Sequence, residues 1–363
     1  MAEDGSNIEA PDDPGASYWF WNGARSALSV PGLVLFCSYF GFGAMTHDFG
    51  WSWWIAGLST LLIWAGPGQL VLAGSLANGA GLAASALAVT ISAVRLLPMV
   101  IAILPALRTT ETRLGTRLLA AHFVAVTAWF EGGRRTQMMP RSGRMPFFLG
   151  LASGLALGST LATIAGHQAA GLLPPALAIG LLGLTPIYFL LSLERGARGR
   201  RREDGDRHRP RDGAGRRADV PESRPVADRP RGRHRGLFDR PRDRPAKDAV
   251  VIQHDDWFML LALLAAFAAN EVWRSLGVVL SARLREDSAL FAWVRMVATA
   301  LVAGLVAKLV LSPTGAFGQA PLWLRLAAVG CGVAAYAAGR RSMALGVGVS
   351  AAALIAGMAW LGP

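Results

Sequence analysis

The sequence predicts an all-α polytopic membrane protein, with about ten apolar helical segments, some broken or re-entrant, in two bundles joined by a disordered linker. Three observations predict it. Runs of about 20 apolar residues, the length that crosses a bilayer, recur on both sides of residues 194–255. Hydrophobic residues make up 53% of the 363-residue chain, more than a soluble domain usually carries. Finally, 19 of the 36 Lys and Arg fall within residues 194–250, so most of the formal charge of +12 belongs to one stretch. No basic surface for nucleic acid is left, and no nucleic-acid partner is expected.

Residues 1–24 begin acidic and rich in Pro and Gly, unlike the basic start of a signal peptide. They read as a disordered tail whose Trp19 and Trp21 suit a membrane interface. A first membrane module is expected over residues 25–193. Its opening span covers residues 27–46 and holds Pro31, Gly32, Gly41 and Gly43. Two long apolar segments follow over residues 51–107, separated only by Asn78, Gly79 and Ala80. The first carries Gly66, Pro67, Gly68 and Gln69 near its middle, the second Arg95 and Pro98. Proline removes a backbone donor and clashes with the preceding turn, so both helices are expected to be interrupted within the membrane. Freed backbone groups are tolerated there only against protein or a water-lined cavity, and paired Gly/Pro interruptions point to a transporter's binding site. On this reading, alanine at both Pro67 and Gly68 restores a continuous helix and impairs transport.

After the basic loop at 108–117, the segment LLAAHFVAVTAWF is short for a full span and reads as re-entrant or tilted. His122 lies within it and Glu131 just beyond. A loop with Arg134, Arg135, Arg141 and Arg144 leads to spans at 145–166 and 172–193. Gly150, Gly154 and Gly158 fall four apart, which lets another backbone approach closely, either inside the subunit or across a homo-oligomer. Residues 194–255 then alternate Arg, Asp, Pro and Gly, with RPRD at 209–212 and again at 240–243. Too little apolar surface is present there to offset chain entropy, and a disordered tether is expected. Apolar runs at 257–282, 288–311, 321–338 and 343–361 make a four-helix module over residues 256–363.

The chemistry centres on Arg95. A charged side chain near mid-membrane costs at least about 2.5 to 3.5 kcal/mol on insertion scales and needs a partner or water. Its planar fork matches a carboxylate, so Arg95 is a candidate substrate binder; the alternative is an ion pair with Glu131 or Glu271. Val89, Ile91, Val94 and Leu97 beside it suit an apolar side chain. The Gly66, Pro67 and Gly68 turn offers N–H groups to an anionic substrate group, with Gln69 either binding alongside or capping the break. Glu271 and Arg274, three apart on one helical face, form a proton relay or an inert salt bridge, and Glu131 is a further candidate for ion or proton coupling. His122 and His167 are expected to pack or to sit at an interface.

No G-x-x-x-x-G-K-[ST] pattern occurs, since Lys247 and Lys308 are the only lysines. No His/Cys/Asp cluster has metal-ligand spacing, and Cys37 and Cys331 lie in apolar segments. No enzyme, cofactor or metal site is therefore expected. Transport driven by an ion gradient is the leading reading, and a non-transporting scaffold whose linker recruits a cytoplasmic partner is the rival. Short-loop Lys and Arg are nearly balanced, seven against five; the linker is placed on the cytoplasmic side.

The stretches WAGPGQLVLAGSL, VRLLPMVIAILPAL and PFFLGLASGLALGSTLATIAGHQAAGLLP resemble the large subunit of the two-component branched-chain amino acid exporters, the AzlC type. The module from Trp257 onward is similar in size, order and its embedded Arg274 to the small AzlD-type subunit. Departures from the family pattern fall at Ala93 and Leu96, either side of Arg95, at Thr127, Ala128 and Trp129, and at Gly277. The resemblance implies both subunits fused in one multi-pass protein of the cell membrane, the bacterial inner membrane in particular. It implies export of small apolar, branched-chain-like amino acids bound at interrupted helices, with the amino acid and membrane lipid as partners.

Overall fold

The computed structural model describes residues 14–207, 255–284, 288–313 and 316–361. Residues 1–13 of the expected tail and 208–254 of the expected tether, with both RPRD motifs, lie outside them. The chain divides into two compact units, Met1–Glu194 with Ile252–Pro363, and Arg195–Val251. Both membrane modules thus belong to the first. Every regular element among the described residues is helical.

The chain opens with α1 (Gly15–Ser26) and α2 (Val30–Asp48). The expected tail therefore needs correcting over residues 15–24, which are helical. Their small residues explain why: a methyl group on Gly23 would strike the Phe147 carbonyl of α9 (Arg141–Gln168), and one on Gly150 would strike the Phe20 carbonyl. Gly154 meets Ala24 and Ala27, and Gly158 meets the Phe36 ring. The glycine row of α9 is used inside the subunit, by α1 and α2, to bring backbones together.

The two long apolar segments are each broken, as their prolines and glycines predict. α3 (Trp53–Ile63) and α4 (Gly66–Ala77) share the first; α5 (Leu82–Ala93) and α6 (Leu96–Leu107) share the second, bent by 45°. The short segment is broken too, into α7 (Leu114–His122) and α8 (Val126–Thr136). α10 (Pro175–Arg207) runs beyond the expected boundary at residue 193. Once a helix is nucleated each further residue adds one backbone bond, and Glu, Arg and Ala after Leu193 favour its continuation.

The second module is α11 (Asp256–Arg283), α12 (Ala289–Leu311), α13 (Leu322–Ala338) and α14 (Met343–Leu361), matching the four apolar runs. Among the described residues five helices, α2, α9, α11, α12 and α14, are long and apolar enough to cross a membrane, and the bent α5–α6 pair makes a sixth if it is one span. α11 packs on α3, α5, α6 and α7, and α12 on α6. Contact is close: a methyl group on Gly277 would come within 2.7 Å of Val100 Cβ. The two modules share one apolar core, in which Val100, Leu104, Ala262, Ala266, Val278 and Val302 are all buried.

Candidate functional site

A cavity of about 100 Å³ lies where the interrupted helices meet. The start of α4 supplies Ala65, Gly66 and Pro67, the start of α8 supplies Ala125, Val126 and Thr127, and the α5–α6 bend supplies Arg95 and Leu96. Tyr39 and Phe42 of α2, Leu182 and Phe189 of α10, and Leu305 and Leu309 of α12 complete much of the apolar wall. A helix start leaves its first N–H groups without intrahelical partners and carries a partial positive charge. Neither the α4 nor the α8 start has a side-chain cap. Among the described residues Arg95 is the one charged side chain lining the cavity, and none of the lining residues is acidic. The cavity thus joins one guanidinium and two uncapped helix starts to a largely apolar wall.

Arg95 is 6% exposed. Its Nη1 donates to the Ser92 carbonyl and, at 2.9 Å, to Ser92 Oγ. Among the described residues neither Nε nor Nη2 has a partner. The expected alternatives, ion pairs with Glu131 or Glu271, do not form: Glu131 is held by Arg134 at 3.0 Å and Arg135 at 3.1 Å, and accepts from the Tyr188 hydroxyl at 3.2 Å. The neighbours expected around Arg95 need correcting as well. Ile91 and Val94 are exposed and Val89 is buried in the core, because the bend at residues 94 and 95 turns Arg95 toward α2, α4 and α8 instead.

The break in the first segment falls at Trp64 and Ala65, not within the Gly66–Gln69 stretch. Trp64 adopts left-handed backbone angles, φ 42° and ψ 42°, which cost a non-glycine residue roughly 1 to 2 kcal/mol. Its side chain holds it there: the indole donates to the Phe123 carbonyl at 3.0 Å and stacks on Tyr39 with centroids 6.2 Å apart. Pro67 lies in the first turn of α4, where its missing N–H is not required. Alanine at Pro67 and Gly68 therefore does not restore a continuous helix, and a methyl group on Gly68 meets nothing closer than 3.6 Å. The double variant is expected to keep the break, with a stability change of under about 1 kcal/mol measured by thermal unfolding in detergent, and to keep transporting leucine, with no more change than trimming the cavity-lining Pro67 brings; loss of all transport would return the break to the Gly-Pro-Gly turn.

Gln69 does not line the cavity. It is fully buried behind the wall, accepting from the Tyr39 hydroxyl at 3.0 Å and donating to Ser59 Oγ at 3.2 Å and Thr60 Oγ1 at 3.1 Å. The Thr60 and Thr163 hydroxyls pair at 3.0 Å, tying α3 and α4 to α9. Gln69 thus spends its amide on holding the break together, with Gly68 beside it, while Gly66 and Pro67 face the cavity.

Glu271 and Arg274 pair as the i, i+3 spacing predicts, at 2.7 Å. Arg274 is fully buried, and its Nη2 donates to the Ile63 and Trp64 carbonyls at 3.2 and 3.0 Å. A residue of the second module therefore caps the broken end of α3 in the first. His122 Nδ1 lies 2.9 Å from Glu271 Oε1, so this histidine is paired rather than simply packed. His167 packs, its Nε2 lying 2.7 Å from the Trp51 carbonyl. Tyr39, Trp64, Leu305 and Leu309 are site residues the sequence did not single out. Only Trp64 had a local signal, its place next to the Gly-Pro-Gly turn.

Residues 32–173 match the family described as AzlC protein, and residues 259–358 match the branched-chain amino acid transport protein AzlD. No curated protein and no solved structure matches the chain. The two matched regions fall within the two helical modules, and proteins of this kind are multi-pass membrane proteins that take a small amino acid as substrate. The chain belongs to the AzlC–AzlD branched-chain amino acid transport family, with both components in one polypeptide.

Proposed function

We propose that the protein exports small apolar amino acids, driven by an ion gradient, and that the cavity binds them by the carboxylate. The observation that carries this reading is Arg95, buried, lining the cavity and free of any acidic partner among the described residues. A guanidinium whose Nε and Nη2 have no partner among the described residues keeps hydrogen-bonding capacity that suits a carboxylate. The starts of α4 and α8 add N–H groups and positive dipole ends, as broken helices do for substrate carboxylates in other transporters. Thr127 Oγ1 makes no hydrogen bond among the described residues and serves as a further donor. The apolar remainder of the wall takes the side chain. Purified protein in liposomes preloaded with labelled leucine tests this: efflux should follow an imposed proton or sodium gradient. A protein that moves no amino acid under any gradient would be the scaffold instead.

Ion coupling is assigned to Glu271 rather than Glu131. The Glu271 side chain is about a quarter exposed, faces His122 and Arg274, and through Arg274 reaches the break that forms the cavity wall. Neutralising it loosens Arg274 from one of its three acceptors. Glu131 has two arginines of its own helix beside it and no place in the cavity.

The two modules act as one transport unit joined by residues 194–255. Proteolysis is expected to cut first within that Arg/Asp/Pro/Gly-rich stretch, whose sequence carries almost no bulky apolar residues. The two fragments should still co-purify in mild detergent, because α11 and α12 pack on α3, α5, α6 and α7. Fragments that separate on size exclusion would show that the modules are tethered, not assembled.

A further inference from the structure

We infer that the second module chooses the substrate's side chain, through Leu305 and Leu309 of α12. This rests on the reading that the cavity binds an amino acid, and it assigns the size limit of that site. The polar groups that line the cavity, Arg95, Thr127 and the helix starts among them, come from the first module. The second contributes Leu305, Leu309 and Pro313, which follow one another at intervals of four residues. Residues four apart share a helix face, so Leu305 and Leu309 give α12 an apolar edge toward the cavity, with Pro313 just past the helix end. The adjacent row, Ala298, Val302, Val306 and Val310, is buried and anchors α12 in the core it shares with α6. That row fixes the helix; the leucine row beside it is only half-buried and closes the cavity.

Leu305 and Leu309 carry no charge and make no hydrogen bond, so they act on the bound molecule by shape alone. The cavity is about 100 Å³, a volume at which one branched side chain in the wall decides what fits. A first module without α12 would keep its anion-binding groups and lose one side of the container. Carboxylate recognition and side-chain recognition are thus divided between the two components, which accounts for a small component that, among the described residues, lines the cavity with no polar side chain.

The test is counterflow in proteoliposomes, with labelled leucine competed by alanine, valine, leucine, phenylalanine and leucinamide. Leu305→Ala and Leu309→Ala should shift preference toward phenylalanine over leucine by about 10- to 200-fold, the range one hydrophobic contact supplies. Leu309→Phe should move it the other way, losing leucine while keeping alanine. Met296→Ala, on the exposed face of α12, should change nothing, and Leu309→Val serves as a milder variant should the alanines unfold. Competition by leucinamide should stay poor in every variant. Unchanged side-chain preference in all the Leu305 and Leu309 variants, with leucinamide still rejected, would overturn the inference alone. Wild-type protein that accepts leucinamide as readily as leucine would instead overturn the reading of the site beneath it.

Discussion

Arg95→Ala is expected to abolish leucine binding and transport while leaving the protein folded and no less stable. Truncating one partner of a buried charge pair typically costs about 2 to 5 kcal/mol, or roughly 30-fold to several thousand-fold in affinity. Stability should move in the opposite direction, because in the empty protein the guanidinium has no counter-charge among the described residues and only Ser92 for company. Removing an uncompensated charge from a membrane interior relieves about 2.5 to 3.5 kcal/mol on insertion scales. A site strained for function commonly shows this exchange of stability for activity. Arg95→Lys keeps the charge and loses the planar fork, so it should bind leucine weakly. Substrate-dependent thermal shift with leucine, valine, methionine and leucinamide measures both effects at once. An Arg95→Ala protein that binds leucine like the wild type would remove Arg95 from the site; one that unfolds would show it to be a structural residue.

Arg95 was legible in the sequence because a lone charge within an apolar run is anomalous by composition alone. The same holds for the helix breaks, since proline and glycine act on the backbone locally. What was not legible is long-range. The exact break at Trp64 depends on a left-handed residue held by Tyr39, from α2, and by the Phe123 carbonyl between α7 and α8. No local pattern marks a tryptophan for that conformation. Gln69 stays undecided from sequence for a related reason: beside a break its chemistry suits a ligand or a cap equally, and only packing shows its amide committed to Tyr39, Ser59 and Thr60. α1 was read as tail because glycine and proline precede it, whereas the α9 backbone that accepts it lies more than 100 residues away. Composition sets which segments are apolar; which of them touch is decided by pairs of small residues that no single segment reveals.

Arg274→Ala is the second variant expected to have a large effect, and it acts through the cavity wall rather than on the substrate. Arg274 lies 210 residues from Trp64 in sequence, yet donates to both carbonyls that end α3. Terminal carbonyls of a helix lack intrahelical partners, and a cation there is favoured by the dipole. Without Arg274 those carbonyls lose their donor, the left-handed Trp64 loses a neighbour that fixes it, and Glu271 keeps only His122. Breaking a buried ion pair from one side typically costs about 3 to 5 kcal/mol, and that is the destabilisation expected in detergent unfolding. Leucine affinity should fall as well, because Trp64 and Ala65 line the cavity. Arg274→Lys places a single ammonium where a fork serves three acceptors, and should recover part of both losses. The double variant Glu271→Gln with Arg274→Met should be less unstable than Arg274→Ala, since no carboxylate is left without its partner. Cleaved at the linker, Arg274→Ala protein should also release its second module more readily than wild type. Wild-type stability and affinity in Arg274→Ala would mean that the first module holds its own broken helix, and that the second contributes the leucine wall alone.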